Sequence, residues 1–428
     1  MNKKTLISIG IFIGLTALFS AWWILAAPRP EIQIAESVVF DRSIEEAIEK
    51  VDRSDEFVSN LENFPSDLPS YDDAIFIDNN TKALVAATDG QIWQVDLSNH
   101  NAEPLVDVPL MAYGIDRDPT DSNSVYFCSS NSYGAEYPPD EVAGLYHLTL
   151  DTRQIEPVVL NVPDTAIDPD NPVVYADSDT NAPELQSDRS GVNSRPLTVC
   201  DNLEVTQDGR RIYFSEPFAY ENATPDDAID EAIALSPNGR LWRYDRDTKT
   251  TRLIAEGFHF INGVLYDLHP NQPREESVLV TQTSLFRLTR FYLNGSKAGS
   301  AEVVLDGITG MNDGMDRDSE GRIWLALFLE RTPILTWIHA HAWIKPFLMR
   351  LPSSILPQPN KTGVLVVSPD GSQPLYAAIY DGSLLASIAS AVPSPQGIYL
   401  ANEDIGGSEN PQPKDIVRLK WSESLAQK

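Results

Sequence analysis

From residue 71 onward, short apolar runs rich in Ile, Val, Tyr and Trp recur between polar turns, in the same order of features each time. A segment ending in Asp or Asn leads into a turn and then into strands. Examples are YDDAIFIDNNTKALVAATDGQIWQVDL (71–97), AYGIDRDPTDSNSVYFCSS (112–130), CDNLEVTQDGRRIYFSEP (200–217), MNDGMDRDSEGRIWLALF (311–328) and GVLVVSPDGSQPLYAAIYDG (363–382). Asp-Gly and Asn-Gly pairs at 89–90, 208–209, 238–239, 370–371 and 381–382 supply tight turns that tolerate positive φ. Runs such as Arg211-Ile212-Tyr213-Phe214 fit half-buried strands. Units of about forty to sixty residues, each with up to four strands, predict an all-β chain folded as a six-bladed β-propeller over 71–421, followed by a tail at 422–428. One unit has too little core to stand alone, so burial must come from its neighbours.

The pattern changes at both ends of this repeat and twice within it. Thr5–Ala27 is twenty-three residues without a charge. As a helix it would extend about 34 Å, enough for a bilayer core of about 30 Å. Lys3 and Lys4 on one side and Trp22 and Trp23 near the other predict a transmembrane helix with its N-terminus in the cytoplasm. Residues 1–27 are thus expected as an anchor in the inner (plasma) membrane, with the propeller facing the periplasm or exterior. The alternative is a signal peptide cleaved after LAA, before Pro28. Residues 28–70, with the amphipathic stretch DRSIEEAIEKVDRSDEFV, read as stalk and linker. Residues 163–198 are polar and read as a long loop. Residues 329–362 are apolar and weakly helical, which suits a lid, a helix lying on a membrane, or packing on the propeller rim. His339 and His341 in that segment are two apart, so a helix points them to different sides.

Composition narrows the partners. With 62 acidic and 32 basic residues the net charge is −30, which repels nucleic acid and anionic lipid and suits divalent cations or plain solubility. Only Cys128 and Cys200 occur, so there is no Cys-rich zinc site; the two could form one disulfide or remain two buried thiols.

In a propeller the innermost strands converge on the axis, and their starts can build one site from distant residues. The same point in successive units carries Asp73, Asp201 with Asn202, Asn262, and Asn312 with Asp313. These are carboxylate and amide oxygens, the hard donors that calcium prefers. The neighbouring run Asp316–Gly321 imitates the start of an EF-hand loop, but the twelfth position is Leu327 and not the required Glu.

Six stretches in order, CDNLEVTQDGRRIYFSE, GRLWRYD, INGVLY, RLTRFYLNGSKAGSAEVVLDGITG, NDGMDRDSEGRIWLAL and WIKPFLMRLP, resemble the strictosidine synthase-like group, nearest to its adipocyte plasma membrane-associated type. The wider superfamily holds gluconolactonases and paraoxonases. The resemblance implies a six-bladed propeller with calcium (Ca2+) in its channel and, in many members, hydrolysis of lactones or aryl esters. It implies metal ligands at Asp73, Asp201 or Asn202, Asn262, Asn312 and Asp313, with Asp313 also serving as base. Asp73 would stand at a position usually held by Glu, and Tyr113 where paraoxonases have a His. Tyr113 and His259 are expected to contact the substrate, a small-molecule ester or lactone. The alternative function is a non-catalytic calcium-containing propeller that binds a ligand or protein; a strictosidine synthase-type condensation fits less well, because its catalytic Glu has no evident counterpart.

Overall fold

The computed structural model describes residues 3–131, 137–186, 193–220, 224–268, 276–356, 359–403 and 414–421, with backbone alone for 3–9, 225, 268 and 354. Six antiparallel sheets carry the repeat. Their innermost strands are Tyr71–Ile77, Met111–Arg117, Leu203–Val205, Ile261–Leu268, Gly310–Arg317 and Ile388–Ser394. Each touches the inner strand of the next sheet, and the sixth touches the first, so the ring closes as a six-bladed propeller.

Between each pair of adjacent blades lies an apolar cluster, for example Phe127, Ile115, Leu84 and Ile92 between blades 1 and 2. Trp324, Val364, Tyr376 and Leu400 fill the space between blades 5 and 6. This is the burial that no single unit could supply. Two glycines let the inner strands approach. A Cβ on Gly263 would stand 2.5 Å from the Asp313 carbonyl, and one on Gly314 would stand 2.8 Å from that of Ala389.

The ring is closed by residues expected as linker. Leu61–Leu68 pairs antiparallel with Lys414–Leu419 and becomes the outermost strand of blade 6. The preceding stalk also packs on the propeller: Phe40 meets the ring of Phe286, and Phe57 that of Tyr380. Helix Arg42–Lys50 is capped by Asp41 and buries Ile48. In the polar 163–198 stretch, Val173–Val174 and Glu184–Gln186 add to the outer strand of blade 3. Cys128 and Cys200 form a disulfide between blades 2 and 3.

A cap covers one end of the channel. It consists of helix Pro225–Ala234, helix Pro333–Ala340 and the short helix Lys345–Leu348. The stalk threads beneath it, with Ala35 N donating to Ala234 O and Val38 N to His339 O. At the N-terminus Lys3–Leu25 is helical. Among the described residues no helix is long and apolar enough to cross a membrane; the side chains of 3–9 lie outside those described.

Candidate functional site

Asp72, Asp313 and Glu403 bring their carboxylate oxygens within 4.8 Å of one another at the capped end of the channel. All three are buried, and they come from blades 1, 5 and 6. Burial pushes the carboxyls of Asp72 and Asp313 well above the usual carboxylate range, and the charges of Glu403 and Asp201 add to it. Asp201 joins them electrostatically: burial, then the charge of Glu403, pushes it up to about 7. Buried carboxylates crowded in this way hold a proton or a cation.

Several expected residues do other work. Asp73 is not among the three; it accepts from Ala74 N (2.9 Å) and Ile115 N (3.2 Å), tying blade 1 to blade 2, while its charge still acts on Asp72 and Asp313. Its carboxyl is pushed up to about 6 by burial, which those bonds partly offset. Asn202 Oδ1 accepts from Val264 N at 3.1 Å and so links blade 3 to blade 4. Asn262 opens the inner strand of blade 4 and is half-buried. Asn312 is fully buried; its Nδ2 donates to Arg287 O at 2.8 Å, and among the described residues its Oδ1 has no partner. The structure thus brings Asp313 and Asp201 to the site, substitutes Asp72 for Asp73, and adds Glu403.

Sequence reasoning missed Asp72 and Glu403 for different reasons. Strand alternation allows only one of Asp72 and Asp73 to face the axis, and the irregular register between Tyr71 and Asp73 decides which. Glu403 follows the second strand of blade 6, Gly397–Asn402, not an inner strand, and its N donates to Ser387 O. The acidic pair after LAN was its only signal.

Above the carboxylates lies a cavity of about 260 Å³ between the channel and the cap. Asp72, Asp201 and Glu403 reach its lining, as does Tyr113, while the walls are apolar, among them Phe218, Phe260 and Phe328. Asp313 lies behind the lining. His259 is also outside it: the ring Nδ1 donates to Leu235 O at 2.8 Å, and burial depresses its pKa to about 4, so it is a neutral packing residue. His339 is buried in the cap and His341 caps its helix end, where Nδ1 donates to Trp337 O at 2.7 Å.

Comparison with known proteins follows the same lines. Residues 201–296 match the strictosidine synthase family model. The adipocyte plasma membrane-associated protein of Salmo salar is 32% identical over 164 residues, 37% of this chain and 38% of that protein. A strictosidine synthase-like protein of Arabidopsis thaliana is 32% identical over 161 residues, 38% of each. The match therefore spans under two-fifths of the length of these two relatives. A solved gluconolactonase from Xanthomonas campestris aligns with a TM-score of 0.49 at 13% identity, covering 92% of this chain and 98% of that one. The resemblance read from the sequence is thus shown: this propeller carries a strictosidine synthase-type match over 201–296 and is similar to adipocyte plasma membrane-associated and strictosidine synthase-like proteins over more than a third of its length.

Proposed function

We propose that the protein is a calcium-dependent hydrolase of carboxylic esters or lactones. One observation carries this reading: three buried carboxylates stand within 4.8 Å of one another at the floor of an apolar cavity, Asp72 and Glu403 in its lining with Asp201, and Asp313 behind it. The donor set fits the ion, since calcium takes several oxygen ligands and carboxylates above all. Asp72, Asp313 and Glu403 would hold it. A bound calcium supplies Lewis-acid polarisation of a carbonyl and stabilises the charge that develops on its oxygen.

The chain's own groups do the rest. The apolar walls seat the substrate and exclude water from all but the floor. Asp201, on the lining, accepts the proton of the attacking water, while Asp313, expected from the sequence in that role, stands behind it as a ligand. Tyr113 borders the cavity beside the floor and orients the substrate. The disulfide between Cys128 and Cys200 supports an oxidising compartment, the periplasm or exterior, with Lys3–Leu25 as the membrane anchor.

The decisive experiment is calorimetric calcium titration of the full chain, paired with an ester and lactone panel with and without chelator. Saturable calcium binding and chelator-sensitive turnover are expected. Calcium binding without turnover on any member would leave a binding propeller with a structural ion, and no binding at all would remove the proposal.

A further inference from the structure

We infer that the cap rests in the surface of a lipid bilayer and that the cavity takes from it an amphiphile with an apolar chain. This rests on Lys3–Leu25 being the anchor. The outer face of the cap carries Trp337, Trp343, Phe347 and Ile355, which are 48%, 71%, 40% and 62% exposed. Trp337 and Trp343 stand edge to face with ring centres 6.4 Å apart, so this is a contiguous patch and not scattered residues.

The patch continues into the N-terminal helix. Trp22 and Trp23 lie 6.1 and 6.3 Å from Phe347, and the Arg350 guanidinium sits 3.9 Å above the Trp23 ring while its Nε donates to Trp23 O. Along that helix Phe12, Leu15, Leu18 and Ile24 are each more than 60% exposed. An apolar helix tied at its end to an aromatic patch places the patch at the level of the lipid headgroups, where Trp is favoured. Charge does not oppose the placement: Arg350 lies on this face beside Trp23, and Glu330, the one acidic residue of 329–362, is paired with Lys361.

The cavity opens onto the same face. Ile334 is 56% exposed and also lines the cavity, and exposed Ile355 directly precedes Leu356, another lining residue. A chain entering there meets Leu335, Ile338 and Phe328 before its polar end reaches Asp201 and Glu403.

The full chain in phosphatidylcholine nanodiscs, with calcium present, tests this. Both native cysteines are in a disulfide, so Trp343→Cys or, separately, Trp337→Cys offers one site for an environment-sensitive label. Doxyl-lipid should quench the label at either position, and should leave one at Asn99→Cys, on an exposed turn of blade 1, unquenched. Dansylundecanoic acid should bind at least about tenfold more tightly than dansylglycine, as its longer chain implies. Labels at 337 and 343 no more quenched than at 99, with the chain still in the disc, would overturn the inference and spare the anchor. Chains that never enter the discs would overturn both. Equal binding of the two probes would remove the lipophilic ligand. None of these results bears on calcium binding, which the titration above decides.

Discussion

At the capped end of the channel, Asp72, Asp313 and Glu403 crowd together beneath an apolar cavity, and among the described residues neither Asp72, Asp201 nor Asp313 has an Arg or Lys ion pair. At the opposite end, Asp116, Glu204 and Asp316 border a polar cavity of about 790 Å³ that also holds Arg117 and Arg317. Burial raises both sets: Asp116 and Asp316 are pushed up to about 7, and Glu204 well above its usual range. Yet Asp116 accepts from Val205 N and Arg117 N, both at 2.7 Å, and Asp316 from Arg317 N at 2.6 Å. The open end thus gives Asp116 and Asp316 backbone donors and sets Arg117 and Arg317 in the same cavity, whereas the capped end crowds its carboxylates where a cation would fit. Acidity alone does not make a metal site; what differs is whether the protein supplies the donors itself.

The largest expected effect strikes the capped end. Asp313→Asn should weaken calcium binding by more than about 100-fold, beyond the 10–100-fold typical of losing an outer-shell partner. Calorimetry reads it, and Glu204→Gln at the other end should leave the affinity unchanged. An equal loss in both variants would erase the distinction drawn between the ends.

Next, calcium at 100 times its Kd should stabilise the fold by about 2.7 kcal/mol. Thermal unfolding with and without calcium measures this, and the increment should survive Glu204→Gln but not Asp313→Asn.

A smaller effect tests whether the cap neutralises the cluster. Lys345 is fully buried but donates to Ala234 O at 3.1 Å, at the end of helix Pro225–Ala234, and burial depresses its pKa to about 8. A lowered lysine pKa means that the folded state resists the charge: the penalty is fully present below pH 8 and fades as pH rises toward 10.5. Lys345→Met should therefore raise stability at pH 7 by about 1–2 kcal/mol, after loss of its hydrogen bond, and by little at pH 10. Destabilisation at pH 7 would mean that this lysine does serve the carboxylates.

The smallest effect concerns Glu204 itself. A raised carboxyl pKa favours the protonated folded state, so its contribution is present at low pH and is lost as pH climbs above 4.5. Glu204→Gln should be neutral near pH 4 and modestly stabilising at pH 8, as chemical denaturation at the two values would show.

Much of this architecture was legible in the chain. The six returning units and their Asp-Gly turns announce blades, because strand alternation and turn chemistry are local properties. The candidate site was legible only in part. Asp201 and Asp313 were found because inner-strand starts converge. The sequence points to Asp73, whereas Asp72 joins the carboxylate group; the two stand at a register irregularity between Tyr71 and Asp73 that no local pattern signals. Glu403 escaped because it follows a second strand. Asp316, which opens the run that imitates an EF-hand loop, sits buried at the open end of the channel, with only Asp318 onward forming the turn: Asp318 accepts from Glu320 N and Arg322 N, both at 3.0 Å.

By itself the sequence determined what is periodic and local: an all-β repeat, its strands and turns, the uncharged N-terminal stretch and the aromatic insertion at 329–362. Tertiary structure alone decided what depends on closing the ring. Leu61–Leu68 completes blade 6 from the far end of the chain, Cys128 finds Cys200, and carboxylates from blades 1, 5 and 6 meet beneath the cap. The reason is physical: these contacts join residues tens to hundreds of positions apart, and their partners are set by how six units pack around an axis, which no local pattern encodes.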